Sequence, residues 1–126
     1  MSDEEIKIFQ EKADAFLDTG MYNFKKKRYD LAAFHIEQAV QLYVKTKLLE
    51  VAGEFPRTHN LVALLNELAK INGKEIGRFA KDNLDVLTKL ADVYITSRYY
   101  TREFYGEEVK GLFDFVQKIE VLLEYD

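Results

Sequence analysis

The stretch at residues 29–68, YDLAAFHIEQAVQLYVKTKLLEVAGEFPRTHNLVALLNEL, decides the fold of this chain. Its first half is a long apolar run that predicts a helix over about residues 31–52, with Asp30 as N-cap and Gly53 as stop. The apolar side chains nearly encircle that helix, which is typical of a helix at the centre of a bundle. A turn at residues 56–59 then leads into a second, leucine-rich helix.

The second helix of this stretch is expected to begin after Thr58, which can cap it, and to end at Asn72 and Gly73. Outward from this pair, apolar residues at helical spacing predict further helices over about residues 3–26, 83–99 and 107–125. Residues 74–81 are expected to form a short helix or a turn. Ser2 or Asp3 is the expected cap of the first helix. The sequence therefore predicts one all-α domain over residues 1–126, an up-and-down bundle of four to five helices.

Composition narrows the classes of function. The 126 residues include no cysteine and only two histidines, and no HxxxH or HExxH spacing, so no metal site is expected. No glycine-rich phosphate loop is present, and no cofactor is expected. A net charge of −4 argues against non-specific binding of duplex DNA through bulk charge. The acidic, polar amino terminus and the lack of a long apolar run predict a cytoplasmic protein without a membrane span.

The turn before the second helix carries the first candidate binding residues. His59 and Arg57 lie at the mouth of a helix, where backbone amides, the helix dipole and the guanidinium all favour an anion such as phosphate. The more ordinary role is that Thr58 caps the helix while His59 and Asn60 satisfy the backbone of the loop. His35, inside the apolar helix, is either a hydrogen-bonded core histidine or a residue that lines a cleft.

A second candidate site lies around Arg98. This arginine continues a predicted stripe of Leu84, Leu87, Ala91 and Tyr94 on one helix face. The candidate nucleotide- or RNA-binding residues here are Arg98, Arg102, Tyr99 and Tyr100, because arginines among aromatic rings stack bases and grip phosphates. The alternative is that the aromatics close the end of the bundle or a dimer interface while the arginines satisfy helix carbonyls.

A rival reading of the fold rests on Gly20, Ala32, Ile36 and Ala39, whose offsets are similar to those of a tetratricopeptide helix pair. Such a repeat should recur after about 34 residues. The corresponding positions hold Glu54, Asn66, Lys70 and Gly73, so the pattern does not recur. A tetratricopeptide-like scaffold that binds a peptide in its groove is kept as an alternative function.

The order of residue types in the deciding stretch resembles the core of the HEPN family of small helical domains. The resemblance rests on Ala-Ala-Phe-His at residues 32–35, Glu-Gln-Ala at residues 37–39, Lys45, and then Pro-x-x-His-x-Leu at residues 56–61. It extends over about residues 3–105 and is strong again at residues 94–99. It implies a bundle of four or five helices that is often a homodimer, and that is often encoded beside a minimal nucleotidyltransferase as a toxin–antitoxin pair.

The resemblance implies, for active members of the family, a metal-independent ribonuclease whose motif is an arginine and a histidine with four to six residues between them. Arg98 matches that arginine, but Glu103, Phe104 and Tyr105 occupy the three positions where the histidine would fall. RNA cleavage without metal needs a group that takes the 2′-hydroxyl proton. We therefore expect no catalytic residues, and a homodimeric module that binds nucleotide or RNA or a nucleotidyltransferase partner. The alternative from the enzyme class is a ribonuclease toxin with a divergent site of Arg98, Arg102 and Glu103, helped by His59.

Overall fold

A computed structural model of the chain describes residues 2–99 and 103–124, and of residues 97–99 only the backbone. Within these residues the chain forms six α-helices: α1 (Asp3–Lys25), α2 (Tyr29–Ala52), α3 (Leu61–Asn72), α4 (Lys74–Asp82), α5 (Leu84–Tyr99) and α6 (Gly106–Leu122). The all-α bundle expected from the sequence is confirmed. The segment expected to be a short helix or a turn is helix α4.

Of the two predicted caps of helix α1, the structure has Ser2, which forms a capping box. The Ser2 hydroxyl accepts a hydrogen bond from the Glu5 backbone amide at 3.2 Å, and the Glu5 carboxylate accepts one from the Ser2 amide. The prediction of Asp30 as N-cap of α2 is wrong. Lys27 adopts a left-handed φ of 62° and the Arg28 amide donates to the Asn23 carbonyl, so the chain reverses early and α2 begins at Tyr29. Asp30 instead lies in the first turn, where its charge suits the helix dipole.

Helix α2 is the centre of the bundle, as its apolar circumference predicted. It packs against α1, α3, α5 and α6. The small residue Gly20 on α1 lies against Ala32 and Ile36 of α2 and lets these two helices approach closely. Gly53, with a left-handed φ of 77°, ends α2 as expected.

The face that helix α5 buries differs from the predicted one. Its buried residues are Leu87, Leu90 and Val93, whereas Leu84 and Ala91, which were expected on the apolar stripe, are exposed. Both sets have helical spacing, and they differ by a small rotation of the helix. The stripe through Ala91 and Tyr94 therefore borders open space, where a cleft lies.

Helix α6 closes the bundle against α2. It starts near the expected position, with the Glu108 carboxylate accepting a hydrogen bond from the Tyr105 amide, and it buries Val109, Leu112, Val116 and Ile119. It ends at Leu122, before the end predicted at residue 125. In the described part of the chain, the helices are too short or too polar for any of them to cross a membrane.

A group of carboxylates surrounds one buried hydroxyl where α1, α2 and α6 meet. Tyr43, which is 1% exposed, donates a hydrogen bond of 2.6 Å to the Asp14 carboxylate. Burial, this hydrogen bond and the negative charges of Asp14, Glu120 and Asp18 raise the pKa of the Tyr43 phenol far above its usual value. Burial and the charge of Asp14 also raise the pKa of Glu120.

Neutralising Glu120 should therefore stabilise the protein at neutral pH. Because its pKa is raised in the folded state, the charged side chain destabilises the fold above that pKa, and the effect is lost as pH falls towards the usual value of about 4.3. We expect Glu120→Gln to raise the free energy of unfolding at pH 7 by less than about 1 kcal/mol. Urea unfolding at pH 7 and in acid measures it, with Glu11→Gln on the exposed face of α1 as control. A gain that does not shrink in acid would contradict this explanation.

Candidate functional site

A cleft of about 520 Å³ lies between the start of α3 and the outer side of α5. We call it the α3–α5 cleft. Its α5 wall contains Leu87, Ala91, Tyr94 and Ile95, and its opposite wall contains His59, Asn60, Leu61 and Val62. Clefts of this size, mostly apolar with a few polar groups, are typical of small-ligand sites. Of the residues that the sequence singled out for binding, His59 lines this cleft.

An aromatic pair forms one end of the α3–α5 cleft. The imidazole of His59 stacks on the ring of Tyr94 with centroids 4.4 Å apart and an angle of 23° between the planes. His59 is exposed and Tyr94 is half-buried, so the pair presents aromatic surface at the mouth of the cleft. The two rings are in contact with each other and leave no room for a third ring between them.

The loop that carries His59 is held by hydrogen bonds at both ends. Asn60, not Thr58 as predicted, is the N-cap of α3: its side-chain oxygen accepts from the Ala63 amide at 3.1 Å. The Thr58 hydroxyl accepts instead from the Asn60 amide at 3.1 Å. Thr58 and Asn60, on either side of His59, both use their side chains to accept backbone hydrogen bonds, so His59 lies in a fixed turn.

A buried polar group on α2 anchors the same loop from below. Gln41 is 4% exposed, and its side-chain amide donates to the His59 carbonyl at 2.6 Å and to the Glu37 carboxylate at 3.0 Å. Glu37, which is 1% exposed, also accepts from Gln38 at 2.8 Å. Sequence reasoning did not assign Glu37 and Gln41 to the site. The available signal was a carboxylate and an amide one turn apart on an otherwise apolar helix.

The remaining groups near Glu37 are partly desolvated. Burial lowers the pKa of the Lys45 ammonium, and the negative charge of Glu37 opposes that shift. The Lys45 ammonium also lies 5.3 Å from the centre of the Phe55 ring. The Gln41 side-chain oxygen is buried without a hydrogen-bond donor among the described residues. This strip of α2 is thus polar, mostly buried and close to the wall of the cleft.

His35 lies away from this cleft. It faces α1, in a separate hollow of about 170 Å³ lined also by Lys12, Phe16 and Thr19. Its Nδ1 lies 2.7 Å from the Leu31 carbonyl, which can only accept, so Nδ1 carries the proton. Its ring packs 6.0 Å from that of Phe16. His35 is thus half-buried and hydrogen-bonded within its own helix, and it also lines a hollow, so it has features of both alternatives that the sequence left open.

The other candidate residues divide into two groups. Arg57 is exposed on the loop that carries His59. Arg98 and Tyr99 belong to α5, but their side chains lie outside the described part of the structure, and so do Tyr100 and Arg102 altogether. Position 98 follows Tyr94 by one turn of α5. Over residues 2–99 and 103–124, no three His, Asp or Glu side chains are grouped so that they could hold a metal ion.

The residues in place of the family's histidine differ in burial. Phe104 is 4% exposed and belongs to the hydrophobic core, whereas Glu103 and Tyr105 are exposed. The Phe104 side chain therefore packs inside the bundle.

The HEPN domain family model matches residues 6–124, nearly the whole chain. The protein therefore belongs to the HEPN domain family. The match covers both helices of the hairpin on which the tetratricopeptide alternative rested. Searches of curated proteins and of solved structures give no significant match.

Proposed function

We propose that this protein is a HEPN module that binds nucleotide or single-stranded RNA without cleaving it, as a homodimer that works with a nucleotidyltransferase partner. The observation that carries the binding proposal is the stacked pair of His59 and Tyr94 at the mouth of the α3–α5 cleft. The homodimer and the nucleotidyltransferase partner rest on membership of the family.

The α3–α5 cleft has the features that a base needs. Stacking of a base on an aromatic side chain contributes about 1–3 kcal/mol and tolerates any base. Ala91 and Ile95, which are both exposed, offer apolar surface in the same cleft, so a stacked base would also be withdrawn from water.

Two arginines lie close in sequence to residues that line this cleft. Arg57 is exposed on the loop beside His59, and Arg98 follows Tyr94 by one turn of α5. Guanidinium groups bind phosphate in a bidentate manner, so these two arginines are the proposed phosphate contacts. Arg102 is a further candidate for phosphate, and Tyr99 and Tyr100 are candidates for stacking a second base. His35, which faces α1, is left out of the proposed site.

The proposal of binding without cleavage rests on the positions after Arg98. Phe104 packs in the core, and Glu103 and Tyr105 are exposed, so none of the three positions supplies an imidazole that could take a hydroxyl proton. The ribonuclease alternative would need a divergent group at this place.

We expect single-stranded RNA to bind with an affinity that falls tenfold when His59 is replaced by alanine. That loss is about 1.4 kcal/mol, within the range for one stacked base. Tyr94→Phe keeps the ring and should bind nearly as the parent does, whereas Tyr94→Ala should weaken binding as His59→Ala does. Fluorescence anisotropy with a labelled oligonucleotide measures the affinity, and Tyr22→Ala on the exposed face of α1 is the matched control.

Salt dependence and a cleavage assay complete this experiment. Affinity should fall as salt rises, because phosphate contacts are screened, and Arg98→Ala should reduce both the affinity and its dependence on salt. Equal affinities of parent, His59→Ala and Tyr94→Ala would overturn the α3–α5 cleft as the binding site. RNA cleavage in EDTA that disappears in Arg98→Ala would overturn the non-catalytic role and establish the ribonuclease alternative.

A further inference from the structure

The outer face of α6 carries a glycine that the fold does not explain. Gly111 lies in the middle of the helix, where glycine is about 1 kcal/mol less favourable than alanine. A Cβ at this position would meet no atom within 4 Å, and its surroundings are open. A helical glycine with free space around it leaves room for the close approach of another backbone.

The residues that share this face have the spacing of a helix seam. Gly111, Asp114, Lys118 and Val121 follow one another at intervals of three, four and three residues, and all four are exposed. Intervals of three and four place them in one stripe along the helix, as in the a and d positions of a coiled coil. We call these four residues the α6 seam. Val121 is 78% exposed, the highest exposure of any large apolar side chain in the described residues.

The α6 seam is complementary to itself when one copy is reversed. Suppose that two copies of α6 pack antiparallel about a two-fold axis that passes beside residue 116. Val121 of each copy then faces Gly111 of the other. In the same register Asp114 faces Lys118 of the other copy, on both sides of the axis. An isologous interface requires that residue i contacts residue j and that j contacts i, and this stripe meets the requirement twice.

The neighbouring stripe on the same side of α6 carries Lys110 and Gln117, which are both exposed and lie seven residues apart. Reversal about position 116 brings Gln117 of one copy to within about 3 Å, along the helix axis, of Gln117 of the other. A groove of about 670 Å³ runs along the seam: Asp114, Lys118 and Val121 line it together with Gln117, and Phe79 and Leu122 add apolar surface to it.

We propose that the α6 seam is the surface through which two copies of this chain associate, with their α6 helices antiparallel and Val121 of one packed on Gly111 of the other. This rests on the proposed homodimer and names its interface. One helix pair buries less than the roughly 1,600 Å² of a standard interface, so the dimer should be weak, with a Kd in the micromolar range.

Charge reversal tests the register without relying on a loss of folding. Sedimentation velocity of the full chain over a range of concentrations gives the dimer Kd. Asp114→Lys alone and Lys118→Asp alone should each raise Kd at least tenfold, because like charges then face each other twice. The double variant with both changes should return Kd to within about threefold of the parent, since the pairs are restored with reversed polarity.

Gly111→Gln separates association from stability. Replacing a mid-helix glycine on an exposed face should raise the melting temperature of the monomer, while the new side chain fills the space needed by Val121 of the other copy. We therefore expect a more stable protein that dimerises less. Ile8→Asp on the exposed face of α1 is the control and should leave Kd unchanged.

Cysteine cross-linking tests the same register directly, because the chain has no cysteine of its own. Gly111→Cys combined with Val121→Cys should give a covalent dimer on oxidation. Within one chain these positions are ten residues apart, about 15 Å along the helix, well beyond the roughly 7 Å that a disulfide spans. Each single cysteine variant should stay uncross-linked.

The outcomes that overturn the α6 seam differ from those that overturn RNA binding. If the parent dimerises but the charge reversals and the cysteine pair have no effect, the homodimer forms through another surface. A parent that is monomeric at all concentrations would overturn the seam and the homodimer together. Neither result bears on the affinity of His59→Ala for RNA, which tests the α3–α5 cleft.

Discussion

Replacing Tyr43 with alanine should lower the free energy of unfolding by about 3–5 kcal/mol, the cost of emptying a buried aromatic site. Tyr43 is 1% exposed on the central helix α2, and its ring belongs to the hydrophobic core. Tyr43→Phe keeps the ring and removes only the hydrogen bond to Asp14, so it should cost about 1 kcal/mol. Urea unfolding followed by circular dichroism measures both variants.

Tyr22→Ala is the matched control for this pair, because Tyr22 is 55% exposed on α1 and contacts the Lys26 ammonium at the surface. It should cost no more than about 1 kcal/mol. If Tyr43→Phe proved as damaging as Tyr43→Ala, the hydrogen bond to Asp14, and not the packing of the ring, would hold α1 to α2.

Gly20→Leu should destabilise the fold by about 2–3 kcal/mol, whereas Gly20→Ala should leave it unchanged or slightly more stable. A Cβ at Gly20 would lie 3.4 Å from the His35 Cβ and 3.5 Å from the Ala32 carbonyl oxygen, so a methyl group fits. Alanine is also the better helix former, by about 1 kcal/mol. The further carbons of leucine would have to push α1 away from α2, and overpacking of a core has the expected cost.

Thermal or urea unfolding of the two Gly20 variants side by side checks this contact. Because the same position carries both changes, the difference between them reports space and not helix propensity. A leucine variant as stable as the alanine variant would show that the α1–α2 contact yields easily. An alanine variant that loses stability would show that even one methyl group is too large there.

The sequence predicted the helices well because their ends carry local signals. The Ser2 side chain caps α1, and the backbones of Gly53 and Gly73 end α2 and α3, all as expected. Asp30 was assigned wrongly because the chain already reverses at Lys27, and Thr58 because a second capping residue follows it. Both Thr58 and Asn60 can cap α3, and only the path of the loop, set by contacts with α2, decides between them.

The α3–α5 cleft could be predicted only in part, for a different physical reason. His59 was recognised because its turn has local chemistry, but its stacking on Tyr94 joins a loop to a distant helix. The face that α5 buries was also ambiguous, since Leu87 fits both of its apolar stripes and only packing selects one. The roles of Arg98 and its neighbours rest on the family motif and on residue type.

The hydrogen bond from Gln41 to the His59 carbonyl joins two parts of the molecule that usually move independently. Loops at a binding site commonly open on their own, at much lower free energy than the core. Here the wall of the α3–α5 cleft is tied to a residue that is 4% exposed on the central helix. We therefore expect the wall of the cleft to unfold together with α2. A substitution in the core near Gln41 should then also change the cleft, and a ligand in the cleft should stabilise the whole fold.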